Sequence, residues 1–332
     1  ETKIFDKYFD QLFRREYAPE NIQALNVLFS TLYAKWDKDN PMGLNETLLA
    51  MKSYAPYHQL YAISVIFCEI NKMNDSVNCG YEVVQGFRDT KNICDNWLST
   101  SYAILYYLQS LFINKSRFNF GMSSFLNGTG FMVKKETIDR YGYDPKTITE
   151  DIEYTAICAI NGIKIAFNEN AITYDEQVTD FKSSLKQRKR WSFGAIQCLK
   201  NYTGSLIKEG IKNKRFECFD VIIFYFGIIF HVLFTIVSLI GIFYNVFYLN
   251  DFNSMDVVIY FIMFLINYFI GVVFRMIVIK KCNKSIKENI WGILLFDLFV
   301  LSWFPISFIC LFIKDCNWDH IKHDRNVDTL NI

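Results

Sequence analysis

Residues 221–249 read VIIFYFGIIFHVLFTIVSLIGIFYNVFYL, an apolar run in which His231 is the one interruption. The run exceeds the ~20 residues that carry a helix across a bilayer. Two more stretches follow it, 257–279 with Arg275 inside and 290–313 with Asp297 and Pro305 inside. Soluble helices are seldom so long and apolar, so all three are expected to be membrane-associated. Lys280, Lys281, Lys284 and Lys287 separate the second stretch from the third. Lys208, Lys212, Lys214 and Arg215 precede the first, and 250–256 has acids and no bases. The positive-inside rule then puts residues before 218 and the 280–289 loop in the cytoplasm. Trp303-Phe304-Pro305 can break the third stretch, which leaves the side of the 314–332 tail open. Arg275 is expected to snorkel to the cytoplasmic interface about one turn away. Asp297 is balanced between lining a polar path and a bland placement.

Working outward, the 332-residue chain is 52% hydrophobic and 17% aromatic, and the apolar excess lies after residue 218. The net charge of +1 gives no basic surface for nucleic acid. Nine cysteines without C-x-x-C spacing argue against a disulfide framework or zinc knuckle, and for a reducing, cytosolic compartment. The string opens at Glu1 with no initiator Met or signal peptide, inside what reads as a domain. Residues 1–20 have helical spacing. Apolar runs at 24–29, 62–67, 82–86 and 162–167 alternate with helical patterns such as 44–54 and 152–160. That order predicts a doubly wound α/β domain with ligands beyond the carboxyl ends of its strands.

Three constellations carry chemistry. Thr149-Glu150-Asp151 opens a helix after the turn at Tyr143-Asp144-Pro145, and alone it is best read as a capped, dipole-stabilised start. Gln187-Arg188-Lys189-Arg190-Trp191 lies in an amphipathic segment starting near Phe181, with Gln187, Arg190 and Trp191 on one face. An amide, a phosphate-binding guanidinium and an aromatic platform meet there. A basic helix on anionic lipid would explain Arg188 and Lys189 but not Gln and Trp beside Arg190. Asn127-Gly128-Thr129-Gly130 is a glycine turn, weak by itself. His320 and His323 read as a solvated tail, and Asp37 and Asp39 as a polar turn.

In this order the features resemble the processive family 2 glycosyltransferases: cellulose, chitin, hyaluronan and poly-N-acetylglucosamine synthases. That family pairs an acidic T/E-E/G-D motif with Q-x-x-R-W and then membrane helices, here TED at 149–151 and QRKRW at 187–191. Tyr174 to Gln177 and Val84 to Arg88 also look like bacterial exopolysaccharide synthases. The resemblance implies a GT-A type nucleotide-sugar-binding domain, followed by amphipathic interface helices and C-terminal transmembrane helices. Its boundaries would be 1–177 for the cytosolic domain, 178–218 for the interface, 219–313 for the spans and 314–332 for a tail.

The resemblance further implies that Asp151 is the general base for inverting transfer, with Thr149 and Glu150 orienting its loop. Gln187, Arg188, Arg190 and, near the donor, Gln85 would hold the pyrophosphate. Trp191 would stack on the acceptor sugar, with Asn127, Gly128, Thr129 and Gly130 walling its entry. It implies a UDP-sugar donor, a growing glycan acceptor, the bilayer, and accessory export subunits or a second copy as partners. Mg2+ or Mn2+ would be the cofactor, and the multi-pass plasma membrane the location. The departure is that no D-x-D follows 62–66, no acidic site follows 24–29, and the first strand of the nucleotide-binding half is missing. The expectation is a sequence joined across donor-site loops rather than an inactive or metal-independent relative. A non-processive enzyme acting on polyprenyl phosphate or ceramide is the alternative, and a membrane scaffold or transporter subunit the non-enzyme one.

Overall fold

Strand β1 (Val83–Thr90) is buried along its whole length and organises the fold around it. It lies between two others in the order β2-β1-β3. β2 (Phe131–Val133) is antiparallel to β1, and β3 (Ile165–Asp175) is parallel to it. The computed structural model describes Ile70 and residues 72–248 and 254–313. The expected helices at 1–20 and 44–54, the strands at 24–29 and 62–67, and Asp37, Asp39, His320 and His323 lie outside those residues. Where the runs at 82–86 and 162–167 were read, β1 and β3 form. The three-residue β2 is an addition that no apolar run announced.

Gly86 explains the local shape of the sheet. A Cβ there would overlap the Ala171 carbonyl oxygen and come within 2.8 Å of Met73 Cε. The β1–β3 register shifts at this point, between Gly86 and Phe87. Backbones can approach so closely only where no side chain intervenes.

Helix α1 (Trp97–Leu108) starts on a capping box. The Asn96 side chain accepts from Leu98 N and Ser99 N, and Ser99 Oγ accepts from Asn96 N. The rod continues as a π-helix (Gln109–Asn114) and then α2 (Lys115–Asn119). After β2 come α3 (Lys135–Tyr141) and α4 (Glu150–Asn161). Gly162, at φ +71°, closes α4 in the left-handed conformation.

The expected amphipathic interface segment is one long helix, α5 (Phe181–Asn213), capped by Asp180, whose carboxylate accepts from Ser183 N at 2.7 Å. Helices α6 (Phe216–Tyr248), α7 (Ser254–Lys281), α8 (Ile290–Leu301) and α9 (Trp303–Cys310) follow. Three segments, Phe216–Tyr244, Val258–Lys281 and Ile290–Cys310, are long and apolar enough to cross a membrane. The third is interrupted at Ser302, between α8 and α9, next to the Trp-Phe-Pro sequence. Pro305 falls in the first turn of α9, where its missing N–H costs nothing.

The apolar helices share a core with the sheet domain. Tyr102, Tyr106 and Tyr107 of α1 pack in one cluster with Val278 and Ile279 of α7 and Ile293 and Phe299 of α8. Polar ties reinforce this contact. Thr100 Oγ1 donates to Asn289 Oδ1 at 3.1 Å, and Lys284 Nζ pairs with Asp89 at the end of β1 at 3.1 Å. The basic 280–289 loop therefore lies on the same side as the α/β domain.

The expectation for Arg275 is corrected. Its side chain is 5% exposed and grips Asp297 through both terminal nitrogens, at 2.7 and 2.9 Å. Leaving a guanidinium half-solvated at the interface loses to pairing it with a carboxylate carried on the next apolar helix. Asp297 is thus the counter-ion of Arg275.

Gly292 is the contact point of α8 on α1, because a Cβ there would overlap the Thr100 side chain. Gly292→Val is expected to destabilise the protein by about 1–3 kcal/mol through overpacking. Thermal unfolding in detergent checks it, and an unchanged midpoint would contradict this packing.

Candidate active site

The segment 124–130 passes beside β1, bonded to β3 at Ser124 N and to β1 at Gly130 O, and between those ends it is held by side chains. Asn114 forms a fork: its Oδ1 accepts from Phe125 N at 2.9 Å and its Nδ2 donates to Phe125 O at 3.0 Å. Leu126 N donates to Thr155 Oγ1 on α4. Gln85 Oε1 accepts from Asn127 N at 3.1 Å, while its Nε2 donates to Thr129 O and Gly130 O at 2.9 and 3.1 Å. Arg88 Nη1 donates to Asn127 O at 2.8 Å. Backbone groups taken from water need partners, and four side chains from three elements supply them.

The turn that results presents Gly128 and Gly130 at φ +80° and +60°. Gly128 faces Asp151 so closely that an added Cβ would sit 3.2 Å from Asp151 Oδ2. Asp151 occupies the first turn of α4 and stays partly open to solvent. Burial, then the neighbouring Glu150, pushes its carboxyl up to about 6, against the first-turn amides and Arg88.

Thr149 does not cap α4. Its side chain fills the gap left by Gly194 on α5, where any Cβ would overlap it. The same face of α5 holds the preceding loop, with Ile148 N donating to Gln197 Oε1 at 3.0 Å. Glu153, one turn into α4, accepts from Lys146 N and Thr147 N at 2.7–3.0 Å and from the Tyr202 hydroxyl of α5. The TED loop is therefore clamped to the helix that carries QRKRW one to two turns upstream.

Trp191 lies edge-on to Tyr102 and Tyr106 of α1, at 6.0 and 6.3 Å, and 6.0 Å from Trp303 of α9. Arg88 closes the ring. Its guanidinium stands 3.7 Å over the Tyr106 ring and pairs with Asp175 at the end of β3.

Two sequence expectations meet a different use. Gln85 was placed near the donor, but its amide is spent on the 127–130 turn. Arg188 was placed on the pyrophosphate, yet it is fully buried, donating to Phe299 O at 2.9 Å and Ser302 Oγ at 2.8 Å. The α8–α9 break frees the Phe299 carbonyl from its helical partner, and Arg188 satisfies it. Arg188 and Trp191, three residues apart on α5, both meet the α8–α9 region, and Trp191 also reaches Tyr106 of α1.

Six of the twelve buried side-chain polar atoms that lack a partner among the described residues belong to α1, the glycine turn and the two motifs: Tyr106 OH, both Asn127 side-chain atoms, Thr149 Oγ1, Gln187 Oε1 and Arg190 Nε. Each such orphan costs about 1–3 kcal/mol unless water or a ligand supplies the partner. Sequence reading named four of these five residues and missed Tyr106. Spacing gives no sign of Tyr106, which reads as one more aromatic on a buried helix face. Arg88 and Asp175 were quoted within larger strings without roles, because their pairing joins two strands 87 residues apart.

The geometry thus brings a carboxylate against a glycine turn and sets Trp191 among the tyrosines of α1. Residues 68–278 match the family described as Glycosyl transferase family group 2, and the chain belongs to that family. It is similar to the probable glycosyltransferase YdaM of Bacillus subtilis (strain 168), 22% identical over 252 residues, which cover 74% of this chain and 54% of that one. The chain thus spans about half the length of the curated relative it matches. The family commonly uses a divalent metal. Among the described residues no three His, Cys, Asp or Glu side chains converge to hold one, and no step below runs through a metal.

Asp151 sets a measurable sign. An acid with a raised folded pKa costs stability once ionised, a cost absent below pH ~4 and full above ~6. Asp151→Asn is therefore expected to be more stable than the parent by about 1–2 kcal/mol at pH 7.5. The difference should vanish near pH ~4 in paired unfolding curves, and an Asn variant that is less stable at neutral pH would refute the strained carboxylate.

Proposed function

We propose that the chain is an inverting, processive membrane glycosyltransferase that moves hexosyl units from a UDP-sugar to the end of a growing β-linked polysaccharide. The observation that carries this reading is that Trp191 is shared. It packs on Tyr106 in the site and on Trp303 in the third apolar segment. The acceptor wall and the membrane helices are therefore one structure, which suits a polymer end held at the base and handed along the apolar helices.

In this reading the Asp151 carboxylate takes the proton of the acceptor hydroxyl. The freed oxygen attacks the anomeric carbon opposite the diphosphate, the sugar–phosphate bond breaks, and the electron pair leaves with UDP. Configuration inverts from α to β. Arg190 and Gln187 offset charge on the departing diphosphate. Thr149 and Glu150 set the base, and Trp191, Asn127, Gly128, Thr129 and Gly130 form the acceptor end. The GT-A architecture, the division at 177, 218 and 313, a Mg2+ or Mn2+ ion and the cytoplasmic orientation belong to the same proposal. So does export through accessory subunits or a second copy.

The test incubates membranes holding the full chain with a panel of radiolabelled UDP-sugars, then applies linkage-specific hydrolases. High-mass, digestible polymer is expected, with transfer lost by ~10²–10⁴-fold in Asp151→Asn. A solvent-extractable glycolipid as the sole product would move the assignment to a lipid-acceptor enzyme. Undiminished transfer in Asp151→Asn would remove Asp151 as the base.

A further inference from the structure

We propose that Arg88 is a positioning residue of sugar transfer: from β1 it fixes the acceptor-side turn at Asn127 and lays one immobile positive charge against the Asp151 carboxylate. The inference rests on the reading of Asp151 as the base.

Three anchors hold the guanidinium. Nε donates to Asp175 Oδ2 at 3.0 Å, Nη1 donates to Asn127 O at 2.8 Å, and the Tyr106 ring lies 3.7 Å beneath. They belong to β3, to the glycine turn and to α1. An arginine tied in three directions cannot swing out to a diphosphate, unlike one on an open helix face. What it offers instead is a fixed field and a fixed turn, the two things a general base and its incoming hydroxyl require.

The groups whose charge or titration bears on Asp151 are few. Glu150 comes from its own helix, Arg88 from β1 and Tyr106 from α1. Tyr143 comes from the loop before α4, Cys198 from α5 and Tyr225 from α6. Burial raises Tyr143 to about 12 and Cys198 to about 11, and it raises Tyr106 as well, so these three are neutral when the enzyme works. Burial, the largest influence, opposes ionisation of Asp151 and the first-turn amides favour it; of the charged groups, Glu150 opposes it and Arg88 favours it. Asp175 stands behind Arg88 and offsets part of its charge.

That arrangement predicts shifts of opposite sign. Initial transfer rates of the full chain in membranes, followed against pH, should show an acid limb near ~6 as Asp151 ionises. Arg88→Met should move its midpoint to higher pH by roughly half a unit or more, and Arg88→Lys should largely restore it. Asp175→Asn removes the offsetting anion and should move the midpoint to lower pH. Loosened packing alone would not push the two variants apart. Midpoints that stay put, or that move together, would overturn the role of Arg88. Should Arg88→Met fail to fold, the direction of the Asp175→Asn shift decides alone. Absence of any acid limb in the parent, or full transfer by Asp151→Asn, would instead strike the reading of the base.

Discussion

A chain segment that runs through a protein interior without a neighbouring strand must have its amides and carbonyls satisfied by something else. Residues 125–129 are in that position: strand bonds reach the segment at its ends, from Ser124 N to Ile165 O and from Gly86 N to Gly130 O, and side chains hold what lies between. Asn114 imitates a strand partner for Phe125, Gln85 does so for residues 127–130, and Arg88 takes the remaining carbonyl of Asn127. Because the segment is pinned this way, two glycines can adopt left-handed backbone and bring the turn against Asp151. A ladder would have held the backbone equally well but would have covered the space in front of the base. Side-chain forks satisfy the backbone from one side and leave the other open.

The second constraint is that α5 serves two sites at once. One face carries Gln187, Arg190 and Trp191, and further along the same helix Gly194 and Gln197 hold Thr149 and Ile148. The helix rises about 1.5 Å per residue, so the ten-residue span from Gln187 to Gln197 is about 15 Å of rigid spacing. That spacing fixes the distance between the guanidinium face and the head of α4. Arg188, beside Trp191 on α5, satisfies the carbonyl freed at the α8–α9 break. One helix therefore couples the TED loop, the QRKRW face and the interrupted apolar segment, and displacement of any one is felt by the others.

These dependencies explain what could be read from the residues. Helical period placed Gln187, Arg190 and Trp191 together, and the first-turn position of Asp151 followed from Tyr143-Asp144-Pro145 and the helical pattern behind it. Both depend on neighbours in sequence. Arg188 was assigned to the pyrophosphate by resemblance, and Arg275 was read by the rule for charges near lipid, which considers only the local run. Each instead met a partner supplied from a distant element, Phe299 and Ser302 in one case and Asp297 in the other. Gln85 was assigned to the donor by resemblance and Asn114 drew no assignment, because a fork on a distant backbone has no local signature. The short β2 was invisible for a similar reason: three residues cannot display a period, and β1 alone makes them a strand.

The position of Asp151 carries a cost that the rest of the site limits. A base must be ionised to act, yet burial and Glu150 both favour its protonated form. Full exposure would leave a carboxylate with its ordinary low pKa, ionised but a weak acceptor of the hydroxyl proton. Deeper burial with no cation nearby would leave it protonated and inert. A value near 6 lies between these limits, ionised at neutral pH and basic enough to matter. The first-turn amides of α4 and the charge of Arg88 are the two influences that hold it there. The amides are intrinsic to any helix start, whereas Arg88 depends on β1, β3 and the turn all being in register. On the proposed reading, ionisation of Asp151 is thereby tied to correct assembly of the turn at Asn127.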